Sequence, residues 1–563
     1  MLPGATVPSS LAGLLAVFRP CFTAPTFPTF VGLVVGLIAQ TRRRTVCAML
    51  IGAGLEQLWH HSRAHRFFAL ARWSSDTVGL ALADLIVAHL LPVGSPLTVA
   101  VDDTLFKRSG KKVFGVAWHH DGAAKGPKPI GFGNCWVVAG IVVPLQFLSR
   151  PVCLPVLARL WRPRQTGKIA HARELAELIA ARYPDRHVHV VGDAAYVGER
   201  LRNLQTRITW TSRLKVTSVL HELPPARTGR SGRPRTRGAR LGTPTDLAAA
   251  AVRGRWRDTR VRRYGRTDAV QITEVICLWY GSFRSQTVRV ILIRDDKPRT
   301  RDRDDRGYGL PLVTTDLHSS AEDLVARYAS RWGIEQAFAD ARQIIGVGEA
   351  RNRTCRAVER TVPFGLVCFS VVTVWYALHG HCVDDVAGRR ARARWYTTKT
   401  EPSYDDMTIK LRRVIIAARF CSPRPERRPS ASADRPGRGR VPARPGGRRA
   451  TSCALRTRTC SADRCRRSGS PDTLPPTRPV SPGTPTSDNT SAGRSSSHAR
   501  TAQCRSARPR NDAGTDEYRA PLLESTVELR LGEKRRSGLQ DFVGPPQLGV
   551  LGPQPSQLGR VIS

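Results

Sequence analysis

Acidic residues are scarce in this chain, paired cysteines are absent, and no apolar stretch makes a convincing membrane span. The 563 residues carry 45 Asp+Glu against 89 Lys+Arg, a formal charge of +44. So large an excess favours polyanionic partners, of which nucleic acid is the commonest. A basic tail on an ordinary enzyme is the bland alternative, but the excess runs through the tail and the folded-looking part alike. Arg far outnumbers Lys, which suits bidentate phosphate contacts and is equally a mark of a GC-rich gene. The 13 Cys are odd in number and form no framework, so they read as reduced thiols of a cytosolic protein. Cys453, Cys460 and Cys465 lack the C-x-x-C spacing of a zinc site. The apolar stretch 31–39 is far short of the roughly 20 residues of a span. The stretch 11–18 has no basic region before it, so no signal peptide is expected. Both read as core faces of helices.

What is present falls into zones. Residues 1–95 have apolar positions at helical spacing and read as a helical N-terminal region. Within it, 41–55 joins basic residues to a Gly-containing turn, which suits a helix-turn-helix or, somewhat better, a plain bundle. From Pro96 the period becomes that of strands. Strands are expected at 97–101, 113–118, 135–148, 187–191 and 207–214, with a helix at 168–182, an α/β layout with a mixed sheet. A β-rich insertion over 215–318 has strands at 269–280, 287–294 and 312–315. A helix over 320–343 follows, and helical sequence continues through 362–378. An α/β core is thus expected from 96–214 and 319–380, followed by a closing segment 381–420. Residues 421–563 are dominated by Arg, Pro, Ser and Gly, a composition that cannot bury enough apolar surface to offset its ordering entropy. They are expected to be a disordered basic extension.

Two carboxylates, Asp102 and Asp193, are placed at strand ends. Carboxylates at the ends of adjacent strands converge at one sheet edge, where they can hold divalent cations for phosphodiester chemistry. Alone, each is weak evidence, because many such Asp residues cap turns. Asp103 is the alternative to Asp102, and period-2 geometry lets only one of them face the site. On the helix around Glu335, Tyr328, Arg331, Glu335 and Arg342 recur near one face. There Glu335 can bind metal while Arg contacts phosphate; an amphipathic helix with Glu335 paired to Arg331 or Arg342 has the same spacing. Asp340 is expected to face solvent. Arg230, Arg233 and Arg235 in the insertion suit DNA backbone contact or a solvated basic loop.

These residues resemble the DDE transposases of bacterial insertion sequences that carry a β-rich insertion before the final Glu. The family signature Y-(2)-R-(3)-E-(6)-K is matched at Tyr328, Arg331 and Glu335, with Arg342 in place of Lys. A strand running into D-x-T resembles Val101-Asp102-Asp103-Thr104, and this favours Asp102 over Asp103. A strand ending in Asp before a small residue and Tyr resembles Gly192-Asp193-Ala194-Ala195-Tyr196. The resemblance covers about residues 25–420. It implies a ribonuclease H-like core, with Asp102, Asp193 and Glu335 as catalytic ligands of two Mg2+ ions, for which Mn2+ can substitute. It further implies DNA contacts from Tyr328, Arg331 and Arg342. The implied activity is cleavage at element ends and transfer of the 3′-OH to target DNA. The implied partners are duplex DNA with terminal inverted repeats, target DNA and a second copy of the chain, with no membrane, in a bacterial cytoplasm beside the nucleoid. An inactivated derivative that only binds DNA is one alternative, to which the unmatched tail points. A ribonuclease H-like repair nuclease is another, less suited by the long stretch between Asp193 and Glu335.

Overall fold

The apolar spacing of the first 90 residues produces five helices: α1 (Ser9–Ala16), α2 (Thr26–Ala39), α3 (Val46–Ala53), α4 (His61–Ala69) and α5 (Ser75–Leu90). The structure is a computed structural model that describes residues 7–122, 129–226, 233–251, 255–295 and 306–420. Thr45 caps α3 by accepting the Ala48 N–H, and Gly54, at φ 67°, closes it in the left-handed region that glycine tolerates. The backbones of α2 and α3 touch: a Cβ on Gly36 would lie 1.7 Å from the Met49 carbonyl oxygen. Val46, Met49 and Leu50 of α3 are buried. The segment is therefore packed into a bundle through one face of α3, with Cys47 and Ile51 on its exposed side. Arg44 turns inward, its guanidinium donating to the Ile344 carbonyl at 2.7 Å, whereas Arg42 and Arg43 are exposed.

The next elements are β1 (Leu97–Lys107), β2 (Ala117–His120), β3 (Ile130–Val143), β4 (Val152–Trp161), α6 (Lys168–Arg182), β5 (Val188–Gly192) and β6 (Ile208–Arg213). β3 lies antiparallel between β1 and β4. β1 pairs parallel with β5, and β5 parallel with β6. The order β4-β3-β1-β5-β6 is a ribonuclease H-like mixed sheet. β1 outruns the expected 97–101 because β3 pairs with it as far as Lys107. β4 was not anticipated, since Pro155 interrupts the apolar run that forms it. Proline lacks the N–H of a ladder bond and argues against an interior strand. β3 ends at Val143, before Pro144, rather than at 148.

The stretch 215–318 contributes β7 (Leu220–His221), β8 (Arg240–Gly242), α7 (Pro244–Ala251), β9 (Arg257–Arg263), β10 (Arg266–Leu278), α8 (Tyr280–Phe283), β11 (Thr287–Asp295) and β12 (Leu310–Thr314). β12 pairs with both β6 and β11, so these strands extend the core sheet. Among the described residues the sheet has 12 strands.

The expected helix 320–343 is divided. α9 (Ala321–Ser330) meets α10 (Trp332–Asp340) at Arg331, and a π turn over Ala341–Ile345 follows. Then come α11 (Cys355–Trp375), α12 (Asp385–Arg392) and α13 (Tyr404–Phe420). α5, α10 and α11 pack on β4, and α6 packs on β3, β4 and β5. Cys355–Gly380 is long and apolar enough to cross a membrane by length and composition, but 89% of its most apolar window is buried inside the protein. It is the central core helix of this layer. α9 sits on a second apolar cluster that includes Val261, Ile272, Ile291, Leu312 and Tyr328. Residues 421–563, expected to be a disordered tail, lie outside the described residues.

Candidate active site at the edge of β1 and β5

The parallel pairing of β1 with β5 ends at Ala100 opposite Val191. Two residues further along each chain stand Asp102 and Asp193, so the same register sets them beside one another. β1 continues past this point, held by β3 through Asp102 opposite Val138, and β5 stops at Gly192. Asp102 is therefore within a strand, and Asp193 opens a turn whose Ala195 N–H donates to the Asp193 carboxylate at 2.8 Å.

Glu335 reaches this edge through Arg331. The guanidinium donates to Asp102 Oδ2 at 3.2 Å and pairs with Glu335 Oε1 at 2.8 Å. The helix junction at Arg331 and the lean of α10 onto β4 bring this about. Gly333 permits that lean, since a Cβ there would meet the Cys153 backbone nitrogen at 3.0 Å. Burial pushes the Asp102 carboxyl up to about 7, and the charge of Asp193 adds to this while Arg331 opposes it. Burial works to lower the Arg331 pKa, but Tyr328, Asp102 and Glu335 outweigh it, so Arg331 remains charged. A single guanidinium thus serves two acidic side chains, with a third acting on Asp102 through space. Among the described residues, no three His, Cys, Asp or Glu side chains close to metal-holding distance; Arg331 stands between Asp102 and Glu335.

Asp103 faces the other way. Its carboxylate accepts from Lys168 Nζ at 2.8 Å, from the Tyr196 hydroxyl at 2.8 Å and from Cys135 Sγ at 3.2 Å. The two neighbours thus point to opposite faces of β1, as the pleat requires. Asp102 points towards the helix pair α9–α10 and Asp103 towards α6. Sequence patterning carries no signal for Lys168 or Cys135 at this cluster, since both are brought in from other elements.

The remaining candidates are dispersed. Tyr328 is 8% exposed and belongs to the apolar cluster beneath α9. It is a packing residue here, with Arg331 5.8 Å from its ring. Arg342 donates to the Phe338 carbonyl at 3.1 Å and does not pair with Glu335; burial lowers its pKa, with Asp121 opposing. Arg233 and Arg235 are exposed, and Arg230 lies outside the described residues.

Asp340 departs from the expectation of a solvent-facing residue. It lines a cavity of about 860 Å3 with Trp332, Gln336 and Tyr404. Burial, then the charge of Asp405, pushes its pKa up to about 6 from 3.8. A carboxyl whose folded pKa is raised costs stability as pH rises from about 4 through 6, and the cost is complete above that window. Asp340→Asn is therefore expected to stabilise the protein at pH 8 by up to about 2–3 kcal/mol and to change nothing at pH 3.5. Equilibrium urea unfolding at the two pH values checks this; equal stability at pH 8 would contradict it.

Residues 17–268 match the family model described as DDE superfamily endonuclease. The match takes in Asp102 and Asp193 and ends before Glu335. No curated protein matches the chain. Among solved structures, one titled as a cryo-EM structure of piggyBac transposase in a synaptic complex with hairpin DNA aligns at a TM-score of 0.32 with 11% identity. That alignment covers 74% of this chain and 79% of that one, a likeness too loose to bear on the site. Over residues 17–268, which hold the ribonuclease H-like sheet with Asp102 and Asp193, this chain is thus similar to the DDE superfamily endonucleases.

Proposed function

We propose that the chain is a DNA transposase that cleaves the ends of its element and joins the freed 3′-OH to target DNA. The observation that carries this reading is the pairing of Asp102 and Glu335 with one guanidinium at the edge of β1 and β5, where Asp193 follows β5 in the same register.

The donors there are all oxygens, which suits hard divalent cations such as Mg2+ or Mn2+. Burial, with a contribution from Asp193, raises Asp102 to about 7, and a bound cation would favour its ionised form. Two cations bound by these carboxylates would polarise the phosphodiester and activate the attacking oxygen. The protein's own contribution is placement. β1 holds Asp102 rigidly, the turn after β5 presents Asp193, and α10 brings Glu335 across. Arg331, relieved of the carboxylates, becomes available to a DNA phosphate as a bidentate donor. Exposed Arg233 and Arg235 supply further backbone contacts, and two copies of the chain would serve the two ends.

The test is cleavage of duplex DNA carrying the element's terminal inverted repeats by the purified chain. Nicking at the element boundary that needs Mg2+ or Mn2+ and stops with chelator is expected. Binding should weaken steeply with salt, with log K falling by about 0.9 per phosphate contact for each decade of salt. A folded chain that binds the ends and cuts them with neither metal would overturn the reading in favour of a DNA-binding derivative.

A further inference from the structure

We propose that Asp103, Tyr196 and Lys168 form a clamp on the far face of β1 that positions Asp193. The inference rests on the reading of Asp193 as a metal ligand and assigns positioning roles to three residues that do not touch the metal or DNA.

The turn Gly192-Asp193-Ala194-Ala195-Tyr196 has little to hold Asp193 except its own end. The Ala195 N–H donates to the Asp193 carboxylate, and the Tyr196 N–H donates to the Asp193 carbonyl at 3.1 Å. Gly192 is held opposite Ser212 of β6, and the far end of the turn is held through Tyr196. Its carbonyl accepts from Trp210 Nε1 at 2.8 Å and from Ser212 Oγ at 3.0 Å, both on β6. Its ring is fully buried and tucks under Gly192, where a Cβ would lie 2.7 Å from Tyr196 Cβ. The hydroxyl is the one polar atom of that side chain, and it donates to Asp103 Oδ1 at 2.8 Å. Burial, then the Asp103 charge, keeps the phenol protonated, so it stays a donor. Asp103 in turn is held by Lys168 Nζ, which lies 4.7 Å from the Trp161 ring at the start of α6.

Adjacent residues of one strand therefore serve the two faces of one site. Asp102 faces the acidic edge directly, and Asp103 reaches that edge through the Tyr196 hydroxyl and the turn. Partners that orient a ligand in this way typically govern about 10–100-fold in metal affinity or activity.

The full-length chain carrying Tyr196→Phe keeps the buried ring and loses only the donor. Two measurements decide the matter: amide hydrogen exchange over residues 193–197, and binding of Mn2+ followed by its electron paramagnetic resonance signal. Faster exchange in the turn with unchanged exchange in α11 is expected, together with Mn2+ binding weakened about 10-fold or more. Asp103→Asn, which keeps an acceptor for the phenol, should recover most of the loss seen in Asp103→Ala; a merely structural contact would give no such rescue of metal affinity. If Tyr196→Phe does not fold, Lys168→Met replaces it: it removes the ammonium that holds Asp103, and faster exchange in the turn with weaker Mn2+ binding is expected. An unaltered turn, or a loosened turn with unaltered Mn2+ binding, overturns the clamp. If the unsubstituted chain takes up no Mn2+, the metal reading of the site fails, and the exchange data still decide whether the clamp holds the turn.

Discussion

Asp193→Asn and Glu335→Gln are each expected to lower metal-dependent DNA cleavage by about 1000-fold or more while leaving DNA binding intact. Both changes keep the size of the side chain and remove a charge. Metal polarisation of a phosphoryl oxygen supplies several kcal/mol of transition-state stabilisation, and each 1.36 kcal/mol is tenfold in rate. Asp102→Asn belongs with them. It also removes a buried carboxyl raised to about 7, so the metal-free protein should gain stability above that pH even as activity is lost. Cleavage is scored on a labelled end substrate at saturating metal, and binding by gel shift. Variants that bind and cut at the unsubstituted rate would remove these residues from the active site.

The second large effect is expected at Arg331. Its side chain is 13% exposed and its two terminal nitrogens serve different carboxylates, Asp102 and Glu335. Removing one partner of a buried pair commonly costs about 3–5 kcal/mol. Glu335 is 35% exposed and water takes over part of its screening, so Arg331→Ala is expected to lose about 3 kcal/mol in chelator. The loss should shrink as pH falls below about 7, where Asp102 takes up a proton. It should also shrink with added Mn2+, because a ligand that binds the folded state at about 100 times its Kd contributes about 2.7 kcal/mol. Arg331→Lys should recover little, since a single ammonium lacks the planar fork that spans both acids. The measurement is urea unfolding of each variant with chelator and with Mn2+. Equal losses in the two conditions would mean that Arg331 and the cation do not answer the same charges.

The elements that carry the candidate residues were legible in the order of residues. Gly192-Asp193 ends a short apolar strand, and Tyr328, Arg331 and Glu335 recur at helical spacing; the pattern places them, and only the family resemblance singles them out. Pattern could not say which partner Glu335 takes. Arg331 and Arg342 are both at helical distances from it, and the π turn at Ala341–Ile345 carries Arg342 away to the Phe338 carbonyl. Nor could pattern expose β4. A strand buried on both faces has no alternation to read, and Pro155 argued against it.

The sequence by itself determined most of the local elements, the opposite facing of Asp102 and Asp103, and the bias towards polyanions, because these depend on backbone period and composition. Only the tertiary structure decided what each acid meets. Strand order set Asp102 beside Asp193, since the register of a parallel pair joins residues about 90 positions apart. The junction of α9 and α10 placed one cation between Asp102 and Glu335. Packing of α6 on the other face committed Asp103 to Lys168 and Tyr196. The packing of α9 on its own apolar cluster buried Tyr328, and the cavity beside α10 took in Asp340. Those outcomes arise from contacts between distant segments, whose energies exist only once the sheet has closed around its core.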